Sequence, residues 1–342
     1  MSQITGITNY WNSPHYEGQL WTANAVQGKG TGTPFLTLMG GLNAANMRIV
    51  HDFDFVMTNE YDFPAAAQPD IDETDSYTAP GATSPVYDQQ RNAVGIYQEA
   101  VNISYKKLST DARLSTDIVH DGVGYIAPEG GAVQGLIAER KAYILQKIAR
   151  DYNYACINGV YQMSTGTDVS SLSRGVSTAA TTNAIAAASA ELSEALLQEL
   201  FRTMAEGTNN MAFQNTPLLF VPATQKQNIS KIFGNQPTAW DIGGVKIDVI
   251  LTDFGPVGVV YEPMVNVTGA GTDTILFASM DAIRPVFNSV VTDLGNQGLL
   301  LYEDLAKSGA AMKGQFLGHM GVDYSHQKMH GKISGLRRST LV

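Results

Sequence analysis

Two histidines four residues apart, His326 and His330 in "HQKMH", are the nearest approach to a metal-binding motif in the chain. On a helix that spacing turns both imidazoles to one side, and a glutamate beside the first would complete a zinc-hydrolase pair. The glutamate is missing and the segment alternates as strand and loop, so neither a metal nor any other cofactor is expected. "GKGTGTP" (28–34) gathers glycines around Lys29 but lacks phosphate-loop spacing and a preceding strand; it reads as a flexible arm. No G-x-S-x-G nucleophile elbow occurs. Asp70, Asp72, Glu73 and Asp75 have the composition of a calcium loop without its spacing or turn glycine, and read as solvated surface. Cys156 is the sole cysteine and sits in a helical pattern, so no disulfide or cysteine zinc site forms within one chain. It reads as a small buried apolar residue. Asn102, Asn228 and Asn266 match a glycosylation pattern that means nothing without a secretory route. Lys328, Lys332, Arg337 and Arg338 gather near the end, either as a solvated tail or as an inner-face patch near nucleic acid. Nothing in these motifs supports an enzyme.

The totals narrow the remaining classes. With 342 residues, 44% hydrophobic and 16% charged, the chain can bury one large core or two modest ones. Charge is held low while apolar content is ordinary, which suits surface buried against other chains. A formal charge of −10 argues against gripping nucleic acid with a basic face, though not against enclosing it. No run of about 18 apolar residues appears, so no membrane span is expected. The first 21 residues lack the basic start and apolar core of a signal peptide, which points to a reducing, soluble compartment.

What would position any functional surface is an unusual order of elements. Residues 1–50 show no regular period, yet carry Trp11, Trp21 and Phe35, which need burial; an extended arm anchored by these three on a neighbouring surface is expected. From 51 the period becomes two. Phe53, Phe55, Met57, Tyr61 and Phe63 share one face, opposite Asp52, Asp54, Thr58, Glu60 and Asp62. Tyr97, Val101, Ile103 and Tyr105 alternate again further on. The two strands read as a long open hairpin around the proline-rich, acidic stretch 63–85, far beyond an ordinary hairpin loop of two to five residues. Such a loop reads as a device for lying on another molecule.

Residues 127–160 give the strongest helix, with Ile137, Ile144, Ile148, Tyr152 and Ala155 on one stripe and Asn158-Gly159 as its stop. At 1.5 Å per residue it would run about 40 Å. A second helix is expected from Ala184 to about Glu206, capped by Asn183. Strands are expected at 216–221, 245–251, 257–262 and 273–279, with a short helix opening at Pro222, and the closing 60 residues return to strands. Pro285 places an edge or bulge in the first of these.

Arm, long loop, spine helix and a sheet assembled from distant parts, in that order, resemble the major capsid proteins of tailed bacteriophages. "LFASMDAIRPVFNSV" (276–290), "HMGVDYSHQKMHGKISGL" (319–336), "RGV" (174–176) and "LLFVPATQKQNISKIFG" (218–234) are similar to segments of one subgroup of them. The resemblance implies an α+β chain of the Hong Kong 97 type (HK97-like capsid fold): N-terminal arm 1–50, extended loop 51–107, peripheral domain 108–169 and 279–342 with spine helix 128–160, and axial domain 170–278. It implies a structural protein whose copies form pentamers and hexamers of an icosahedral head around double-stranded DNA. On this reading Phe53, Phe55, Met57, Tyr61, Phe63, Tyr97, Val101 and Ile103 serve inter-subunit loop contacts, and Lys328, Lys332, Arg337 and Arg338 the inner face. Further partners would be portal, scaffold and cement or decoration proteins, with no membrane; the location would be the virion, assembled in the bacterial host cytoplasm. Only about 50 arm residues precede the loop, so any scaffold would be a separate chain, or none is used. The family's best-known member cross-links a loop lysine to a neighbour's asparagine; here no lysine lies between Lys29 and Lys106, so no such bond is expected from the loop. An encapsulin-like bacterial nanocompartment shell stays open as the alternative.

Overall fold

The computed structural model describes residues 32–43, 47–57, 60–62, 68, 70–79, 81–82, 86–106, 132–208, 210–214, 216–234, 238–242, 245–266, 271–291, 297–306 and 309–339. Trp11, Trp21 and Phe63 lie outside these residues. Two sheets carry the architecture. The first is organised by the 13-residue strand Ala311–Asp323. Along one edge it pairs antiparallel with Leu300–Asp304 and then Arg284–Asn288; along the other it pairs with Gly95–Ser104. Arg48–Val50 adds a parallel strand beyond Arg284–Asn288, beginning opposite Val286. Pro285 therefore sits one residue before that ladder, where its missing N–H costs no bond.

The spine helix, Ala132–Asn158, lies across one face of this sheet. Ile144, Ile148, Tyr152 and Cys156 recur at its buried side, joined by Leu145, Ala149 and Ile157. Cys156 is a buried thiol, and burial pushes its ionisation well above the ordinary range.

The second sheet has seven strands, in the order Ala184–Ala186, His330–Arg337, Thr272–Ser279, Pro217–Val221, Gly255–Tyr261, Val245–Thr252, Thr238–Ile242. Pro217–Val221 is buried throughout because both its faces are covered. Leu218 and Phe220 join the core shared with the spine helix, while Leu219 and Val221 face the helix Glu194–Thr208. The expected domain boundary at 279 runs through this sheet: His330–Arg337 pairs antiparallel with Thr272–Ser279, so the closing strand shares a sheet with residues 217–279.

Three other expectations change. Residues 32–43 are not extended arm; Pro34–Asn43 is a helix, with Phe35, Leu36, Leu38 and Met39 fully buried. No amphipathic stripe advertised it because it is enclosed on several sides. The helix expected from Ala184 begins at Glu194 instead. Ala184–Ala186 pairs in parallel with Lys332–Ser334, and left-handed Ala188 and Ser189 turn the chain before Ser193 accepts the Leu196 N–H. The amide of Asn183 donates to the Lys328 and His330 carbonyls rather than capping a helix. Finally, Gly95–Ser104 is not the hairpin partner of the strands after 51; it leaves the hairpin and pairs with Ala311–Asp323.

Candidate assembly surface

The hairpin itself is a two-stranded ribbon. Asp54–Val56 pairs with Arg91–Ala93, and Glu60–Asp62 with Val86–Asp88, so the ladder continues past Tyr61 opposite Tyr87. Its root is fastened to the body. The buried Asn92 side chain donates to the carbonyls of Arg174 (3.1 Å) and Val322 (2.7 Å) and accepts the N–H of Arg174 (2.7 Å) and Ala93 (2.9 Å). That is its full hydrogen-bonding capacity. Arg91 adds an ion pair to Asp54 at 3.1 Å, and Asp54 also accepts from the Tyr161 hydroxyl.

The apolar side chains expected to reach a neighbour divide sharply. Phe55, Met57, Val101 and Ile103 are buried in this chain's own core, with Phe53 and Tyr97 packed against it. Phe53 meets the His319 ring and Tyr97 the Tyr152 ring. These side chains root the ribbon, and burial raises the Tyr97 phenol well above its ordinary pKa. The end of the loop is the opposite. Residues 70–79 are exposed throughout, including Ile71 at 68% and Tyr77 at 78%. A single turn, Asp75–Tyr77, is held by local bonds: Asp72 accepts the Asp75 N–H and Ser76 donates to the Glu73 carbonyl.

Phe35 also packs at home, its ring 5.0 Å from that of Phe220. The start of its helix is held from two other elements. Glu262, at the end of strand Gly255–Tyr261, accepts the Phe35 N–H at 3.0 Å; Asn153 of the spine helix accepts the Leu36 N–H at 2.9 Å and donates to Glu262 at 3.2 Å. Sequence reasoning missed this hub. A lone carboxylate after a buried strand, in "VVYEPM", was its only trace.

The basic residues near the end are largely engaged. Lys332 donates to the Ser177 carbonyl at 2.7 Å, Arg338 to Asp273 at 2.8 Å, and Arg337 lies 3.6 Å from Glu191. Lys328 gives its backbone N–H to the ring of His326. His330 is fully buried against the Tyr324 carbonyl, and burial lowers both histidines to about 4, leaving them neutral at pH 7. Among the described residues no group of three or more His, Cys, Asp or Glu side chains could share a metal, and no helix is long and apolar enough to cross a membrane.

A rooted ribbon with an exposed tip thus stands beside two sheets joined by a spine helix. The sequence profile of the SU10 major capsid protein family matches residues 3–337. The chain belongs to that family. The capsid protein also resembles, in fold, the capsid asymmetric unit of cyanophage A-1(L), with TM-score 0.55, 11% identity and complete coverage of both chains. The holo-SrpI encapsulin complex of Synechococcus elongatus PCC 7942 follows with TM-score 0.54, 9% identity and coverage of 94% and 96%. Mycobacterium phage Patience matches with TM-score 0.52, 8% identity and coverage of 95% and 87%. No curated protein matches the capsid protein in sequence. The fold is the HK97-like capsid fold, and the capsid protein is a shell subunit of a virion that oligomerises with its own copies.

Proposed function

We propose that the capsid protein assembles into pentamers and hexamers that close an icosahedral head around double-stranded DNA, acting structurally and not as an enzyme. Each ring contact would be heterologous, one patch on a different patch, closing by rotation. The observation that carries this is the family match over 3–337 together with a tip left bare beyond a firmly rooted ribbon. Among the described residues nothing covers Ile71 and Tyr77, and a neighbouring copy is always present in a shell to do so. Assembly takes place in the bacterial host cytoplasm, with portal, scaffold or decoration proteins as further partners.

Electron microscopy of the purified protein tests this: closed DNA-containing shells are expected, whereas small protein-filled shells would indicate a compartment. Replacing 70–79 by a short Gly-Ser turn should leave the unfolding free energy within about 0.5 kcal/mol, since the segment touches little at home. The same replacement should abolish closed shells; shells of normal yield would show that the tip is not used. Boiled shells should run in SDS as one band without covalent ladders, because the loop offers no lysine between Lys29 and Lys106.

A further inference from the structure

The long strand Ala311–Asp323 spends its backbone groups in strict alternation. Leu305, just past strand Leu300–Asp304, donates to the Lys313 carbonyl, and Tyr105, just past Gly95–Ser104, donates to the Ala310 carbonyl. Odd-numbered residues of the long strand therefore bond towards Leu300–Asp304 and even-numbered ones towards Gly95–Ser104. The ladder with Gly95–Ser104 runs unbroken from Ala311 opposite Ser104 to Met320 opposite Gly95. Within it Gly95, Tyr97, Glu99, Val101 and Ile103 bond to the long strand. The residues between them, Ile96, Gln98, Ala100 and Asn102, turn their N–H and C=O groups to the outer edge over about 20 Å. Among the described residues no backbone group of another element bonds to them there.

This edge lacks the usual guards. An uncovered strand edge is a template for another chain, and proteins blunt it by shortness, charge, proline or a bulge. The other outer strands of the two sheets each carry such a device. Arg48–Val50 and Ala184–Ala186 have only three residues, and Leu300–Asp304 ends in Glu303-Asp304. Thr238–Ile242 is paired through a bulge at Ile247/Asp248. Gly95–Ser104 has ten residues, no proline and no break in register. Its one charged side chain, Glu99, is met by Lys147 of the spine helix. On the other face Ile96, Gln98, Ala100 and Asn102 are all exposed and uncharged.

Resting on the shell reading above, we infer that this edge pairs antiparallel with the same edge of a second copy across a two-fold axis. Among the described residues no other strand offers an unguarded edge of matching length, so the partner strand is Gly95–Ser104 itself. The edge is self-complementary, because antiparallel pairing with its own copy sets no like charges opposite each other on the open face. The axis runs perpendicular to the sheet, so two sheets merge into one with both spine helices on the same side. A wall requires this, since every subunit must keep the same face to the same side. A two-fold contact is isologous, whereas contacts within a ring of five or six are heterologous. The edge therefore joins a subunit of one ring to a subunit of the next.

Three measurements on the full-length protein test this. Residue-resolved hydrogen exchange should show the N–H groups of Ile96, Gln98, Ala100 and Asn102 slowing by at least about 100-fold on passing from unassembled protein to shells. Those of Tyr97, Glu99, Val101 and Ile103 should be protected in both states. Ala100→Pro removes an edge N–H without breaking a bond to Ala311–Asp323. It should keep the wild-type urea midpoint and still form rings, but not closed shells. The Gln98→Cys/Ala100→Cys double variant brings thiols of two copies within disulfide reach for an axis at 98, 99 or 100, while the native Cys156 is buried. Its oxidised shells should run as covalent dimers on a non-reducing gel. Shells in which the four edge N–H groups exchange freely, or Ala100→Pro shells of normal yield, would overturn the pairing. Protection without covalent dimers would give the edge to a different strand and overturn the two-fold contact. Failure of wild type to form any shell removes the shell reading instead; the cross-link in unassembled protein at high concentration then decides the edge, and its absence overturns the pairing.

Discussion

Gly175→Ala is expected to leave the protein largely unfolded, and Gly159→Ala to do the same. The spine helix ends at Asn158, the chain runs out to a bridge between Gln162 and Leu172, and on its return it passes directly over the helix end. The two backbones touch there: the Gly175 N–H donates to the Gly159 carbonyl at 2.9 Å. A Cβ on Gly175 would stand 2.5 Å from the Ile157 carbonyl carbon and oxygen, and one on Gly159 would collide with the Ser173 carbonyl oxygen. Flexible side chains can move aside, but these are backbone atoms of a helix terminus and a hydrogen-bonded crossing. Overpacking in ordinary cores costs about 1–3 kcal/mol; with no soft neighbour the cost here should exceed about 3 kcal/mol, a large share of a typical total of about 5–15 kcal/mol. Arg174, next to the crossing, is where Asn92 fastens the loop ribbon, so separating the backbones also releases the ribbon root. Soluble yield and urea midpoint measure the effect. Gly166→Ala is the control, since nothing lies within 4 Å of a Cβ there, and its midpoint should match wild type. A Gly175→Ala protein with the wild-type midpoint would show that the crossing yields.

The same crossing illustrates what could and could not be read from the chain. The spine helix was legible because its stripe is local: Ile144, Ile148 and Tyr152 recur at helical intervals and face one sheet. Strands Pro217–Val221 and Thr272–Ser279 were legible as short apolar runs between turn residues. The order of these pieces sufficed to suggest a capsid subunit. What failed was non-local. "PFLTLMGGLN" carries a glycine pair and no polar face, so helical propensity and periodicity both miss it; its first N–H groups are held by Glu262 and Asn153, 227 and 117 residues away. The alanine-rich 184–190 favours helix by propensity, but pairing with His330–Arg337 draws it into a sheet. Alternation showed that Phe55, Met57, Val101 and Ile103 face something apolar, yet period two cannot say whose core that is. The loop tip was legible for the opposite reason, since four acidic residues within 70–75 leave little to bury.

Glu262 should make stability fall as pH rises from about 4.5 to about 7, against the trend set by ordinary paired carboxylates. It is fully buried, and burial raises its carboxyl from 4.5 to about 7 despite accepting from the Phe35 and Met264 N–H groups and the Asn153 amide. These partners are neutral and only partly offset the lost hydration. The folded protein therefore binds this proton more tightly than the unfolded chain. Stability from the group is complete below about 4.5, declines as the folded carboxyl ionises, and levels off above 7; a shift of this size corresponds to about 3 kcal/mol. Glu262→Gln cannot ionise, so wild type minus variant isolates the group from every other titration. The difference in urea-derived stability should change by about 3 kcal/mol between pH 4.5 and 8 and be flat above that. The glutamine amide also sets a donor against a donor, most directly the Phe35 N–H, at a cost of about 1–3 kcal/mol. Hydrogen exchange at Phe35 and Leu36 should accelerate in the variant at pH 5, where wild type holds its proton. Since Glu262 and Asn153 together clamp the helix Pro34–Asn43 between the seven-stranded sheet and the spine helix, that exchange reads the docking of this helix. Parallel pH curves for the two proteins would mean that the folded carboxyl ionises no higher than the unfolded one and that the hub holds the helix Pro34–Asn43 as a carboxylate.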